Sequence, residues 1–246
     1  MKHQDIRRPQ NIEFNDLKVR VELSVPTFIY DDEDNLLDIL IAPTLVLPDG
    51  FEGLVTELPI SSQMFDEDIY KNFVLRSNSI ARLNRLAELN LDTLIGVIER
   101  YFAIHPVDEV LDRNADCRVL REYNIQENFS KLTFGNLRNI LSCIIKTDPD
   151  LQVFEGLKSK EDRKNYTTVY KNYIEDRDSF THGILFFLSP DFIPVLRIKS
   201  QTGSFKYVSY DKPIFTDNLL TYKYLTSILD HINLYLQSKI EGSIAE

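Results

Sequence analysis

The stretch Tyr173-Ile174-Glu175-Asp176-Arg177-Asp178-Ser179-Phe180-Thr181-His182-Gly183 decides how this chain is read. It lies in a segment of helical period that starts near Lys160, continues to about Leu188 and is closed by Asp191 and Pro194. At about 100° per residue, Tyr166, Tyr170, Tyr173, Phe180, Thr181, Ile184 and Leu188 all fall within about 60° of Arg177. Arg177 is thus central on the apolar stripe. A guanidinium is costly to bury alone, so this one calls for an internal carboxylate, a facing chain or an anionic ligand. Asp176 and Asp178 lie on other faces of the helix, which leaves the partner to come from elsewhere. His182 follows five residues later, about 140° around the helix, with Gly183 weakening the helix just beyond it. Histidine is the side-chain type suited to general acid or base work, although a lone His is more often a hydrogen-bonded structural residue.

Upstream, apolar residues recur at helical spacing, many of them three or four residues apart, at Ile69, Phe73, Ile80, Leu83, Leu86, Leu89, Leu94, Ile98 and Phe102. Asp66, Glu67 and Asp68 suit the positive end of that helix and Pro106 stops it; its length suggests two helices or one bent one. A further helix is expected from about Ser130 to Ile145, with a short one around Arg118 to Tyr123. Downstream, Val195–Lys199 and Phe205–Tyr210 alternate on either side of Gln201-Thr202-Gly203-Ser204, the pattern of a β-hairpin, and Thr216-Asp217 caps a last helix of about 20 residues. Near the N-terminus, Lys18–Tyr30 and Leu36–Leu47 flank Asp31-Asp32-Glu33-Asp34-Asn35 and suggest another hairpin, irregular or at an edge because of Pro26 and Pro43. The reading is a mainly α protein of α+β type. It comprises a flexible arm at 1–17, a β extension at 18–62 and a helical domain at 63–246 with a β-hairpin before its last helix.

With 246 residues, 43% of them hydrophobic, the chain can bury a sizeable core and is neither collagen-like nor disordered. No apolar run is long enough for a membrane span and the first residues do not resemble a signal peptide, so a cytoplasmic protein without membrane contact is expected. Cys117 and Cys143 lack CxxC spacing and are expected as plain core thiols. The four His residues are far apart and no nucleotide-loop or metalloprotease motif occurs, so neither a metal centre nor a cofactor is expected. The net charge of −10 argues against broad electrostatic capture of nucleic acid. That excess is local, however: residues 28–70 hold eleven acids and no Lys or Arg, leaving the remainder almost neutral. Its ordinary meaning is a solvated surface; the sharper one is an internal competitor for RNA lying over the basic start of the Lys160 helix. Lys158, Lys160, Arg163, Lys164 and Lys171 leave room for a local phosphate site, and Tyr166, Tyr170 and Tyr173 are either core or stacking surfaces for bases.

Arg177-x4-His182 followed by Gly183, ahead of a hairpin and a final helix, resembles the HEPN family, whose mark is Arg, four to six residues, then His. Leu132-Thr133-Phe134-Gly135-Asn136-Leu137 looks like the helix opening often found upstream of that motif, and the resemblance spans about Phe65 to Ser238. It implies a HEPN-like helical bundle and a metal-independent endoribonuclease, a toxin or antiviral defence effector, that dimerises to bring two Arg–His pairs together on an RNA substrate. In that reading Arg177 and His182 are catalytic, Asp178 orients one of them, and Lys164, Lys171 and Tyr173 contact RNA. An antitoxin or regulatory protein is the further partner implied. Asp178 stands where the family commonly has Asn, and Ile184 stands where some toxin subfamilies carry a modified Tyr. The alternatives are an inactive HEPN-like module that binds a nucleotide or protein, and an unrelated helical interaction protein in which Arg177 is simply ion-paired.

Overall fold

The computed structural model describes residues 6–10, 20–22, 27–30, 36–40, 44–46, 67–113, 117, 120, 129–188, 193–199, 205–210 and 212–244. Its elements are β1 (Arg20–Glu22), β2 (Thr27–Tyr30), β3 (Leu36–Leu40), β4 (Thr44–Val46), α1 (Glu67–Ile104), α2 (Val107–Arg113), α3 (Phe134–Thr147), α4 (Lys160–His182), β5 (Ile184–Leu188), β6 (Ile193–Lys199), β7 (Phe205–Ser209) and α5 (Lys212–Ile244). The protein is mainly helical, with strands before and between the helices, and so of α+β class. Contacts divide the chain into two units. One comprises Met1–Arg7, Leu83–Arg177 and Thr216–Glu246, the other Arg8–Arg82 and Asp178–Phe215.

The first unit is a helical bundle whose sequence logic is the three-and-four spacing. In α1, Leu83, Ala87, Leu94, Val97, Ile98 and Tyr101 are buried. This is one helix of 38 residues, which overturns the two-helix alternative of the sequence reading. It ends as His105 N donates to the Tyr101 carbonyl and Pro106, with no N–H, opens the way to α2. Thr133 caps α3 by accepting from Asn136 N at 3.2 Å, and Phe134, Leu137, Ile140, Leu141, Ile144 and Ile145 turn inward from it. Ser159 and Asp162 form a reciprocal cap at the start of α4, each side chain accepting from the other's backbone N–H at 3.0 Å. Those hydrogen bonds hold the Asp162 carboxyl below the usual range.

Two polar features cross this core. Tyr170 donates its hydroxyl to Asn90 Oδ1, and Asn90 Nδ2 donates to Thr226 Oγ1 at 3.0 Å, so the fully buried Asn90 is satisfied from two other helices. Cys117 and Cys143 are joined in a disulfide, their Cα atoms 6.0 Å apart. The expectation of plain thiols is therefore corrected, because folding brings together two Cys that are 26 residues apart.

In the second unit β1, β4, β5, β6 and β7 lie in that order in one sheet, and β2 pairs with β3 separately. All the pairings are antiparallel except β4 with β5, which meet in parallel at Thr44 and Phe187. The expected hairpins appear as β2–β3 and β6–β7, yet the N-terminal strands and the late hairpin share a sheet. That joining is a long-range pairing.

Several boundaries differ from the sequence reading, α2 was not expected, and the last helix has 33 residues where about 20 were expected. The third long helix does not reach Leu188; it stops at His182, and Ile184–Leu188 pairs residue for residue with Arg197–Ile193 as β5. Periodicity cannot separate a short buried strand from one more turn of helix, and the sheet decides. Gly183 makes the corner. Its N–H donates to the Ser179 carbonyl, and a Cβ there would stand 2.5 Å from that oxygen and 3.1 Å from Leu196 Cβ. The last helix begins at Lys212 rather than at a Thr216 cap, and Asp217 instead holds Arg7. Residues 6–10, read as part of a loose arm, are tied down: Ile6 packs on the helical core, and Ser209 N donates to the Gln10 carbonyl at 2.8 Å. Of the short helix expected at Arg118 to Tyr123 only Leu120, helical and buried, is among the described residues, and much of the acidic segment 28–70 lies outside them. Among the described residues no helix is long and apolar enough to cross a membrane.

Candidate functional site

Helix α4 carries every residue singled out for RNA chemistry except Lys158, which precedes it. Its inner face is aromatic: Tyr166, Tyr170 and Tyr173 are buried, as the stripe required. The Tyr173 phenol is raised well above its ordinary range, first by burial and then by Tyr222 and Glu88, with Arg177 acting against them. A ring enclosed in this way has no free face for a base. The assignment of Tyr173 to RNA contact is therefore corrected to core packing, with burial as the reason.

One turn further on, Arg177 is half-buried, and its Nη2 donates to the Glu88 carboxylate of α1. The partner demanded by the sequence is thus an acid, and it comes from a different helix, as expected. Its identity was not legible: Glu88 sits between Ala87 and Leu89, and nothing in spacing or composition separates it from other surface acids. The ion pair is lopsided. The Arg177 side chain is 23% exposed and that of Glu88 54%.

Asp178 and His182 are exposed on α4, with His182 its final residue. Ile184 and Leu188, counted with the Arg177 stripe in the sequence, stand instead on β5. Lys164 is exposed, and Lys171 is exposed beside Glu175, Nζ to Oε1 3.5 Å, four residues on. Glu175 also faces Arg138 of α3 electrostatically. Burial lowers the Arg138 pKa, Glu175 opposes that, and the Arg138 Nε is enclosed with no hydrogen-bond partner among the described residues. Arg138 went unnoticed in the sequence because it lies one residue beyond Leu137, amid a helix whose signal is entirely apolar.

No family model, curated protein or solved structure matches this chain.

The chemistry of the site therefore rests on its own residues. A guanidinium at the edge of a core, reaching water past a carboxylate, suits one anionic oxygen cluster. An exposed imidazole at a helix C-terminus can take or give a proton. Among the described residues no group of three or more His, Cys, Asp or Glu is placed to hold a metal ion.

Proposed function

We propose that this chain is an endoribonuclease of HEPN type, acting as a homodimer, whose Arg177 and His182 cleave RNA by internal attack of a ribose 2′-oxygen. One observation carries the reading: Arg177-x4-His182 occupies the last turns of a 23-residue helix, with an exposed imidazole at its end and a guanidinium that still reaches solvent. In the proposed step the 2′-oxygen bonds to the adjacent phosphorus as its proton passes to a base. The bond from phosphorus to the 5′-oxygen then breaks, and that oxygen is protonated. His182 supplies base or acid, and Arg177 stabilises the charge on the non-bridging oxygens. The products are a 2′,3′-cyclic phosphate and a 5′-hydroxyl. A role as a toxin or defence effector, restrained by an antitoxin or another regulatory protein, goes with this reading.

The test is cleavage of a labelled RNA pool in EDTA by the full chain, by His182→Ala and by Arg177→Ala, with folding followed by circular dichroism. The reading expects cyclic-phosphate ends from the parent only. Retained cleavage in both folded variants overturns it. A second reading, an inactive module of the same architecture that binds a nucleotide or protein, is favoured by the Glu88 carboxylate on Arg177 and by the exposed Asp178. Absence of cleavage beside measurable nucleotide or protein binding selects it.

A further inference from the structure

Two Arg–carboxylate pairs in the helical unit invite comparison. At Asp217 the acid is the buried partner, 10% exposed, and it accepts from Arg7 through the backbone N, Nε and Nη2 at 2.9, 2.8 and 3.3 Å. That is an anchor. At Glu88 the asymmetry is reversed: the cation is drawn into the protein within electrostatic reach of Tyr173, and the acid stays largely in solvent. Among the described residues Glu88 accepts one hydrogen bond, from Arg177. It is therefore held by a single group and is solvated when released. Arg85, three residues earlier on α1 and exposed, stands within helical-neighbour distance as a substitute cation.

The Glu88 oxygen on Arg177 Nη2 has the charge and acceptor character of a non-bridging phosphodiester oxygen. Exchange of one for the other leaves the charge on Arg177 balanced, so the half-buried guanidinium need never be left bare. We propose that Arg177 is a phosphate subsite for the RNA backbone and that Glu88 occupies it as an internal stand-in, so that the chain without RNA is self-capped. This rests on the endoribonuclease reading for the nature of the ligand. The geometry of the pair does not depend on cleavage. The device also accounts for an acidic protein that needs a cation at a catalytic position. The cap keeps the subsite closed to stray anions until a backbone that makes further contacts displaces it.

The experiment measures binding of a fluorescent, uncleavable 2′-O-methyl RNA oligonucleotide to the full chain by anisotropy. Glu88→Gln is expected to bind on the order of tenfold tighter than the parent. Glu88→Asp, which keeps the charge but shortens the reach, is expected to tighten binding as well, and Glu99→Gln, the same charge change elsewhere on α1, to leave it within about twofold. The gain is expected to vanish in Glu88→Gln/Arg177→Ala. Equal affinity of Glu88→Gln and parent, or a gain that survives removal of Arg177, overturns the cap. Cleavage read in parallel separates the two proposals. Tighter, Arg177-dependent binding without cleavage upholds the cap and removes the nuclease; cleavage by the parent with no gain in Glu88→Gln does the reverse.

Discussion

Arg7 grips Asp217 with a fork of Nε and Nη2 and with its own backbone N–H, joining positions 210 apart in the chain. The hydrogen bonds from Arg7 outweigh the effect of burial and hold the Asp217 carboxyl below the usual carboxylate range. With its folded-state pKa lowered, Asp217 contributes stability that is whole above the unfolded value near ~4 and is lost as pH falls through the lowered folded value. Asp217→Asn is expected to cost about 1–3 kcal/mol at neutral pH and to flatten the acid limb of the stability curve. Urea titrations at a series of pH values measure both. An unchanged acid limb contradicts the assignment.

His182 is exposed and ends its helix, so His182→Ala is expected to leave stability within about 0.5 kcal/mol and, on the proposed endoribonuclease reading, to lower RNA cleavage on the order of a hundredfold or more. Arg177→Ala removes the ion pair with the largely solvated Glu88; a stability loss of about 1 kcal/mol is expected and, on the proposed endoribonuclease reading, a comparable loss of cleavage. Rates on a defined oligoribonucleotide, set beside melting temperatures, separate chemistry from folding.

Gly183 turns the chain from helix into β5 where a Cβ has no room. Gly183→Ala is expected to destabilise the protein by about 1–3 kcal/mol, since the nearest atom met is a backbone carbonyl and the others belong to the fully buried Leu196. Chemical denaturation measures the cost. A neutral result means that the corner can open without loss.

The Cys117–Cys143 disulfide closes a loop spanning 26 residues inside the helical unit. Loop-closure entropy alone gives an expected stabilisation of about 3.5 kcal/mol, and Cys117→Ser or dithiothreitol is expected to remove part of it. Thiol counting by mass spectrometry, with thermal melts in both redox states, checks the pairing and the magnitude together. Full alkylation of both thiols in the untreated folded protein contradicts the pairing.

Asn90 is buried between Tyr170 and Thr226, so Tyr170→Phe leaves its carbonyl without the phenol and is expected to cost about 1–3 kcal/mol. The double variant Tyr170→Phe/Asn90→Leu is expected to recover part of that loss, because the orphaned group goes with its partner. Two denaturation curves decide it.

Periodic segments were legible wherever one face of an element is buried. The core sides of α1, α3 and α4 follow from Leu94, Ile98, Leu137, Ile144 and Tyr166 at helical spacing, and β6 and β7 from alternation across a Gly-containing loop. The Arg177 argument was legible in the same way: a cation on an oily stripe must find an anion, and it did. Tyr173 was placed on the correct stripe and given the wrong task, since the stripe itself implies enclosure.

What remained hidden depended on partners distant in the chain. Local pattern alone specified the long helices, though not α2 or the full length of α5, together with the hairpins and the need for a counter-charge at Arg177, because each is written in residues within a turn or two of one another. Tertiary structure alone chose Glu88 over the other acids, made a strand of Ile184–Leu188, merged the N-terminal strands with the late hairpin, oxidised the two cysteines together and fastened Arg7 to Asp217. Each of those is a pairing between groups at least several residues apart. The energy of such a pairing exists only after the chain has closed the loop between them.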